Sequence, residues 1–180
     1  SRSCEALVIE VLENETAEHL KIIESVLGIF PVANSALIEF YRIMAKYWAS
    51  DPYPLIKFGI PSRVASVEKM IESESITVSK KSAVRKRKAQ NFFMMHTPHK
   101  SAYLEIADLA IERMKNGSTL VLLPDSKDID RVMQSFTGKT MDFKIIRLDS
   151  SLPRAQRYEN YLKSSLQNNV LVIGNRSALF

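Results

Sequence analysis

Thr119-Leu-Val-Leu-Leu-Pro124 is a short continuous apolar run with no polar alternation, so as a strand it is expected to be covered on both faces. An amphipathic helical stretch precedes it. Tyr103, Ile106, Ala107, Ala110 and Met114 recur at three-and-four spacing, and Asn116-Gly117 is the stop signal. A second follows, with Ile129, Val132, Met133 and Phe136 on one face. Helix, buried strand, helix is the unit of a doubly wound α/β sheet, in which ligands bind at the carboxyl ends of the strands. Pro124-Asp125 stands at such an end. The theme repeats downstream: Phe143 to Leu148 reads as a strand, Leu152 to Leu166 as a helix, and Val170 to Ile173 as a strand ending in Gly174.

The first half is less regular. Cys4 to Glu13 reads as a strand, with Ala6, Val8 and Glu10 alternating against Leu7, Ile9 and Val11. Leu20 to Ile29 suits a helix or a strand, and Pro31 ends it either way. Asn34 or Ser35 caps a clear helix whose stripe is Leu37, Phe40, Tyr41, Met44 and Trp48, stopped by Asp51-Pro52. Pro52, Pro54 and Pro61 then bracket a short apolar segment, Leu55 to Ile60. From Ser62 to Gln90 apolar periodicity fades, with one short helix expected around Val67, Met70 and Ile71. That stretch is the best linker candidate.

With 180 residues, 46% apolar and 25% charged, the chain has the composition of an ordinary globular protein. No apolar run approaches the ~20 residues of a membrane span, and no signal peptide opens the chain, so cytoplasm is the expected compartment. The single Cys4 excludes an internal disulfide. The chain starts at Ser1 without a methionine and stops at Phe180 just after a strand and turn, and the expectation is a fragment of something longer.

The net charge of +5 is unevenly placed. Lys80, Lys81, Arg85, Lys86, Arg87 and Lys88 fall within Ser79 to Lys88 without one acid; removing those six leaves the rest near −1 (5 − 6). Such a run neutralises phosphates and gives salt-sensitive affinity for nucleic acid, or it serves only as a solvated linker.

Phe92-Phe93-Met94-Met95 followed by His96-Thr97-Pro98-His99-Lys100-Ser101 lies between a strand-like run and a helix start, where a phosphate-binding loop belongs. Lys100-Ser101 is the closing pair of a Walker A loop, but its glycines are missing and Pro98 has no amide to donate. His96 and His99 lack further metal ligands at a plausible spacing and read as surface residues. Asp125, Asp128 and Asp130 would hold a divalent cation, or Asp125 or Ser126 caps a helix and the others favour its dipole. Tyr41, Tyr47 and Trp48 would stack on bases or fill a core.

Ser150-Ser151-Leu152-Pro153-Arg154-Ala155-Gln156-Arg157-Tyr158, then Val170 through Gly174, Asn175, Arg176, Ser177 and Ala178 to Phe180, resembles the primosomal replication-restart family (primosomal protein N′, PriA). In that family an apolar strand runs into a glycine-threonine-arginine-serine-alanine turn; here Asn175 replaces the threonine. Leu120 to Pro124 with Asp125 is similar to the family's strand ending in proline and an acid. The stretch from Leu37 through Tyr47, Trp48 and Pro54 to Ile60-Pro61 looks like the helix and proline-ended segment after its first DNA-binding domain.

The resemblance implies an α/β fold: a partial RecA-like parallel sheet lobe of the P-loop NTPase and helicase type, preceded by the end of a small β-rich DNA-binding domain and a connecting helix. It divides the chain into residues 1–61 for the end of the 3′-end DNA-binding domain and connecting helix, 62–90 for a basic linker, and 91–180 for the first half of the lobe. It implies that Leu20 to Ile29 is extended. The partners implied are branched DNA and the proteins of primosome assembly and replicative-helicase loading.

Phosphate contact falls to the six basic residues, with Arg176 and Ser177 secondary at a strand end. Lys100 and Ser101 become the remnant of a nucleotide site. The missing glycines and the short linker resemble the actinobacterial branch, whose motor lobe persists without a working ATP site. The rival implication is an active ATP-dependent 3′-5′ helicase with an atypical phosphate loop. The resemblance also implies zinc bound by cysteines beyond Phe180, with no cofactor held within this chain.

Overall fold

The computed structural model describes residues 6–9, 11, 23–74, 91, 93, 95 and 101–179. Within them the chain is mixed α/β, built on a small three-stranded parallel sheet. Strands β1 (Thr119–Leu122), β2 (Lys144–Leu148) and β3 (Val170–Gly174) lie in the order β1-β3-β2, so the last strand in sequence is the central one. Gly174 is in register with Leu122 on one side and Leu148 on the other.

The central strand β3 alternates its side chains between two helical layers. Leu171 and Ile173 of β3 point into a cluster with Ala107, Ala110 and Met114 of α4 (Ala102–Met114) and with Ile129 and Val132 of α5 (Ser126–Gln134). Val172 points the opposite way. There Leu148 packs with Tyr158, Tyr161, Leu162 and Leu166 of α6 (Arg154–Leu166) and with Val67 and Ile71 of α3 (Ala65–Ser73). The stripes legible in the sequence on α4 and α5 are the stripes that meet the sheet.

The expectation that Thr119 to Pro124 is covered on both faces is corrected. β1 is an edge strand among the described residues, and Leu120 and Leu122 are 42% and 44% exposed. The helix layer of α6 and α3 sits over β2 and β3 and does not extend to β1. The strand covered on both sides is β3, with Val170, Leu171 and Ile173 buried.

Upstream, α1 (Ser35–Tyr47) starts where expected: the Asn34 side chain accepts from the Leu37 amide at 2.8 Å. Tyr41 and Ala45 are its buried members, while Tyr47 and Trp48 are exposed and fill no core. Ala49 ends it with φ +49, in the left-handed region.

The proline-bracketed apolar segment Leu55 to Ile60 falls largely within helix α2 (Pro52–Gly59). Asp51 accepts from the Tyr53 amide at 2.7 Å, and Pro52 and Pro54 stand in the first turn, where a missing N–H costs nothing. The helix expected around Val67, Met70 and Ile71 is α3. Its buried Val67 and Ile71 lie against α6, some ninety residues on. Of the strand expected over Cys4 to Glu13, Ala6 to Ile9 and Val11 carry no strand, and the others lie outside the described residues. Ile23 to Gly28 form neither helix nor paired strand.

Among the described residues, no helix is long and apolar enough to cross a membrane.

Candidate nucleic-acid interface at the carboxyl edge of the sheet

Three chain segments leave the sheet at the same edge: Leu123-Pro124-Asp125 after β1, Asp149-Ser150-Ser151 after β2, and Asn175-Arg176-Ser177 after β3. Gly174 holds them close. A Cβ built there would lie 2.2 Å from the Leu148 carbonyl oxygen and 2.5 Å from the Ala178 Cβ, so only glycine lets the turn fold back over β2. The Gly174 carbonyl accepts from the Leu123 amide at 2.8 Å, tying the β1 exit to the same point.

The turn after β3 is a short 3-10 segment, Arg176–Ala178, capped by its own sequence. Asn175 Oδ1 accepts from the Ser177 amide at 3.1 Å and from the Ser177 hydroxyl at 2.7 Å. An asparagine therefore does the capping work expected of a hydroxyl residue there. Ser177 is buried with its hydroxyl turned into the loop, whereas Arg176 faces solvent.

Sequence reading missed Asp149. It is fully buried and accepts from Ser151, at 2.7 Å from the amide and 2.5 Å from the hydroxyl, and from Arg147 Nε at 2.5 Å. Arg147 also reaches Asp130 on α5 at 2.5 Å. Burial acts to raise the Asp149 carboxyl, but the Ser151 and Arg147 hydrogen bonds outweigh it and hold the group below the usual carboxylate range. The detectable signal was Asp-Ser-Ser directly after a strand, the composition of a turn closed by its own side chain.

The three acids after the central apolar run go to separate partners. Asp125 caps α5, accepting from the Lys127 and Asp128 amides at 2.9 Å each. Asp128 accepts from the Tyr103 hydroxyl at 2.8 Å and pairs with Arg131, while Asp130 pairs with Arg147. They are helix-capping and ion-pair residues. Among the described residues, no three His, Cys, Asp or Glu side chains come together as metal ligands.

The remaining candidates divide by position. Ser101 is the residue before α4, exposed, with no side-chain capping bond. Lys100, His96 and His99 lie outside the described residues, as do Lys80, Lys81, Arg85, Lys86, Arg87 and Lys88.

A second buried carboxylate lies under α6. Glu68 accepts from Tyr158 at 2.6 Å, from Arg63 at 2.8 Å and from the Ile29 amide at 3.4 Å. Burial acts to raise it, but Arg63 and Tyr158 hold it below its ordinary value. The Tyr158 hydroxyl is pushed up, by burial first and then by Glu68. This cluster fixes the loop after α2, α3 and α6 in one arrangement.

Over 75 residues, 41% of its length, the chain is 32% identical to "Probable replication restart protein PriA" of Mycobacterium leprae. Identity to the protein of the same name from Mycobacterium tuberculosis is also 32% over 75 residues. Over that stretch the chain is similar to PriA. The match spans 12% of the length of each of these PriA proteins. No family model matches the chain. No solved structure matches it either.

Proposed function

We propose that this chain is part of a replication-restart protein that binds branched DNA at stalled forks and helps reload the replicative helicase. The observation that carries the reading is the 75-residue similarity to mycobacterial PriA. The parallel sheet with helices on both faces fits the start of a RecA-like lobe over 91–180. Residues 1–61 would then be the end of a DNA-binding domain with its connecting helix, and 62–90 a basic connection.

In this reading Lys80, Lys81, Arg85, Lys86, Arg87 and Lys88 neutralise phosphates, supplying sequence-independent, salt-sensitive affinity. Arg176, exposed at the carboxyl edge, adds a contact, and Ser177 holds the turn that presents it. Lys100 and Ser101 are a remnant of a nucleotide site and drive no motor. The partners are forked DNA and helicase-loading proteins, and the compartment is the cytoplasm.

The test is fluorescence anisotropy of the chain on forked DNA against plain duplex across a salt series. The reading expects tighter fork binding and a steep salt slope. Equal, weak binding to both DNAs would sink it.

A further inference from the structure

Asn116-Gly117 is the one asparagine-glycine pair in the chain, and it lies between the end of α4 and the start of β1. Residues 115–117 form a turn, and both members of the pair are exposed. Gly117 has φ +128, a backbone region that side chains rarely enter, and a Cβ built there would meet nothing within 4 Å. Glycine therefore leaves its own main-chain nitrogen unshielded.

Other asparagines are placed differently. Asn34 accepts from the Leu37 amide, and Asn175 accepts from Ser177. Asn160 of α6 donates to the Arg147 carbonyl, and Asn169 to the Asp142 carbonyl. Each of these carboxamides has a partner, and each is followed by a residue bulkier than glycine: Ser35, Arg176, Tyr161 and Val170. Among the described residues, the Asn116 carboxamide makes no hydrogen bond. The pair is restrained through its main chain, where Asn116 donates to the Arg113 carbonyl at 2.9 Å and Gly117 to the Met114 carbonyl at 3.1 Å. Both bonds belong to the last turn of a helix, the part that frays first.

We propose that Asn116 is a site of spontaneous modification, at which the folded chain converts asparagine to aspartate and isoaspartate without an enzyme. The Gly117 nitrogen gives up its proton and attacks Asn116 Cγ. A nitrogen–carbon bond forms, the bond from Cγ to the amide nitrogen breaks, and ammonia leaves with that proton. Water then opens the resulting cyclic imide. Addition at Cγ gives aspartate, and addition at the main-chain carbonyl gives isoaspartate. The step needs water alone as co-reactant.

The position gives the change a consequence for the fold. Either product sets a carboxylate at the C-terminal end of α4, where the helix dipole disfavours negative charge. Isoaspartate also lengthens the main chain just ahead of Ser118, whose hydroxyl accepts from the Val170 amide at 3.2 Å, and of Thr119, in register with Leu171. The start of the β1–β3 ladder is what ageing at this site loosens.

The full chain is incubated at mildly alkaline pH, folded and in urea, and mapped by mass spectrometry with a protease that cuts before aspartate. The unmodified chain releases residues 108–124 as one peptide. Aspartate at position 116 introduces a new cut. Isoaspartate leaves a whole but heavier peptide, and an isoaspartate methyltransferase labels the intact chain. Folding withholds one net hydrogen bond from the attacking nitrogen, so the folded chain is expected to react about fivefold more slowly than the denatured one. Asn160 and Asn169 are expected to stay unmodified in the folded chain over the same period. Asn116→Gln, which would have to close a larger and slower ring, is expected to abolish the signal at an unchanged melting temperature. Modification at 116 confined to the urea sample, or absent from both samples, would overturn the proposal. So would earlier modification at any other asparagine of the folded chain.

Discussion

Gly174→Ala is the substitution whose consequence follows most directly from the geometry. The new methyl would lie 2.2 Å from the Leu148 carbonyl oxygen and 2.5 Å from the Ala178 Cβ. Reaching an ordinary carbon–oxygen contact needs a displacement of about 1 Å. The obstructing carbonyl belongs to the backbone of β2, which is paired to β3, so no side-chain rotation relieves it. Overpacking of this kind costs about 1–3 kcal/mol, and loosening the Leu123 amide bond to Gly174 adds about 1 kcal/mol. A total near 3 kcal/mol lowers the melting temperature of a chain this size by about 6–12 °C.

Thermal unfolding followed by circular dichroism measures it, with Gly138→Ala as the comparison. Gly138 has φ +78 but open space around it, so its alanine suffers only the left-handed backbone penalty of about 1–2 kcal/mol. If Gly174→Ala melts no lower than Gly138→Ala, the close packing of the three strand exits is refuted.

Asp149→Asn removes the charge that Arg147 Nε and Ser151 meet while Arg147 keeps Asp130, and is expected to cost about 2 kcal/mol by urea unfolding. The folded Asp149 and Glu68 carboxyls both titrate below their unfolded values, so the unfolded chain takes up the protons first as pH falls. Their contribution is complete above about pH 4 and drains below it; melting temperatures between pH 6 and pH 3 should fall less steeply in Asp149→Asn than in wild type. Tyr158→Phe removes a hydrogen bond to a buried carboxylate and should cost about 2 kcal/mol, read by the same urea titration. Ala49→Gly relieves the left-handed residue after α1 and should stabilise by about 0.5–1 kcal/mol in a thermal melt. Replacing Lys80, Lys81, Arg85, Lys86, Arg87 and Lys88 with serine should flatten the salt slope of DNA binding by several units in anisotropy; an unchanged affinity would reduce that run to a solvated linker.

Periodicity carried the sequence reading where one element faces one neighbour. Ala107, Ala110 and Met114 or Ile129 and Val132 lie on stripes that a helix must bury, and they are buried. Strand order is a different quantity. Nothing local distinguishes Leu120 and Leu122 on an edge from Leu171 and Ile173 at the centre, because both runs are apolar and similar in length. Pro52 and Pro54 leave the conformation of Leu55 to Ile60 open for a physical reason: a proline breaks a helix interior but is accepted in the first turn, and the Asp51 cap decides between the two. The carboxylates were least visible, since Glu68 meets Tyr158 across ninety positions and Asp149 is defined by a turn two residues long.

The joint at Glu68 has a consequence for how the chain comes apart. Its ligands lie on both sides of the basic run, with Ile29 and Arg63 before and Tyr158 after, and α3 shares its apolar cluster with α6. A protease that cuts after lysine or arginine within 80–88 severs the covalent connection but none of these bonds. The two pieces are expected to elute together on a sizing column and to separate only in denaturant, behaving as a two-part complex whose halves melt at one temperature.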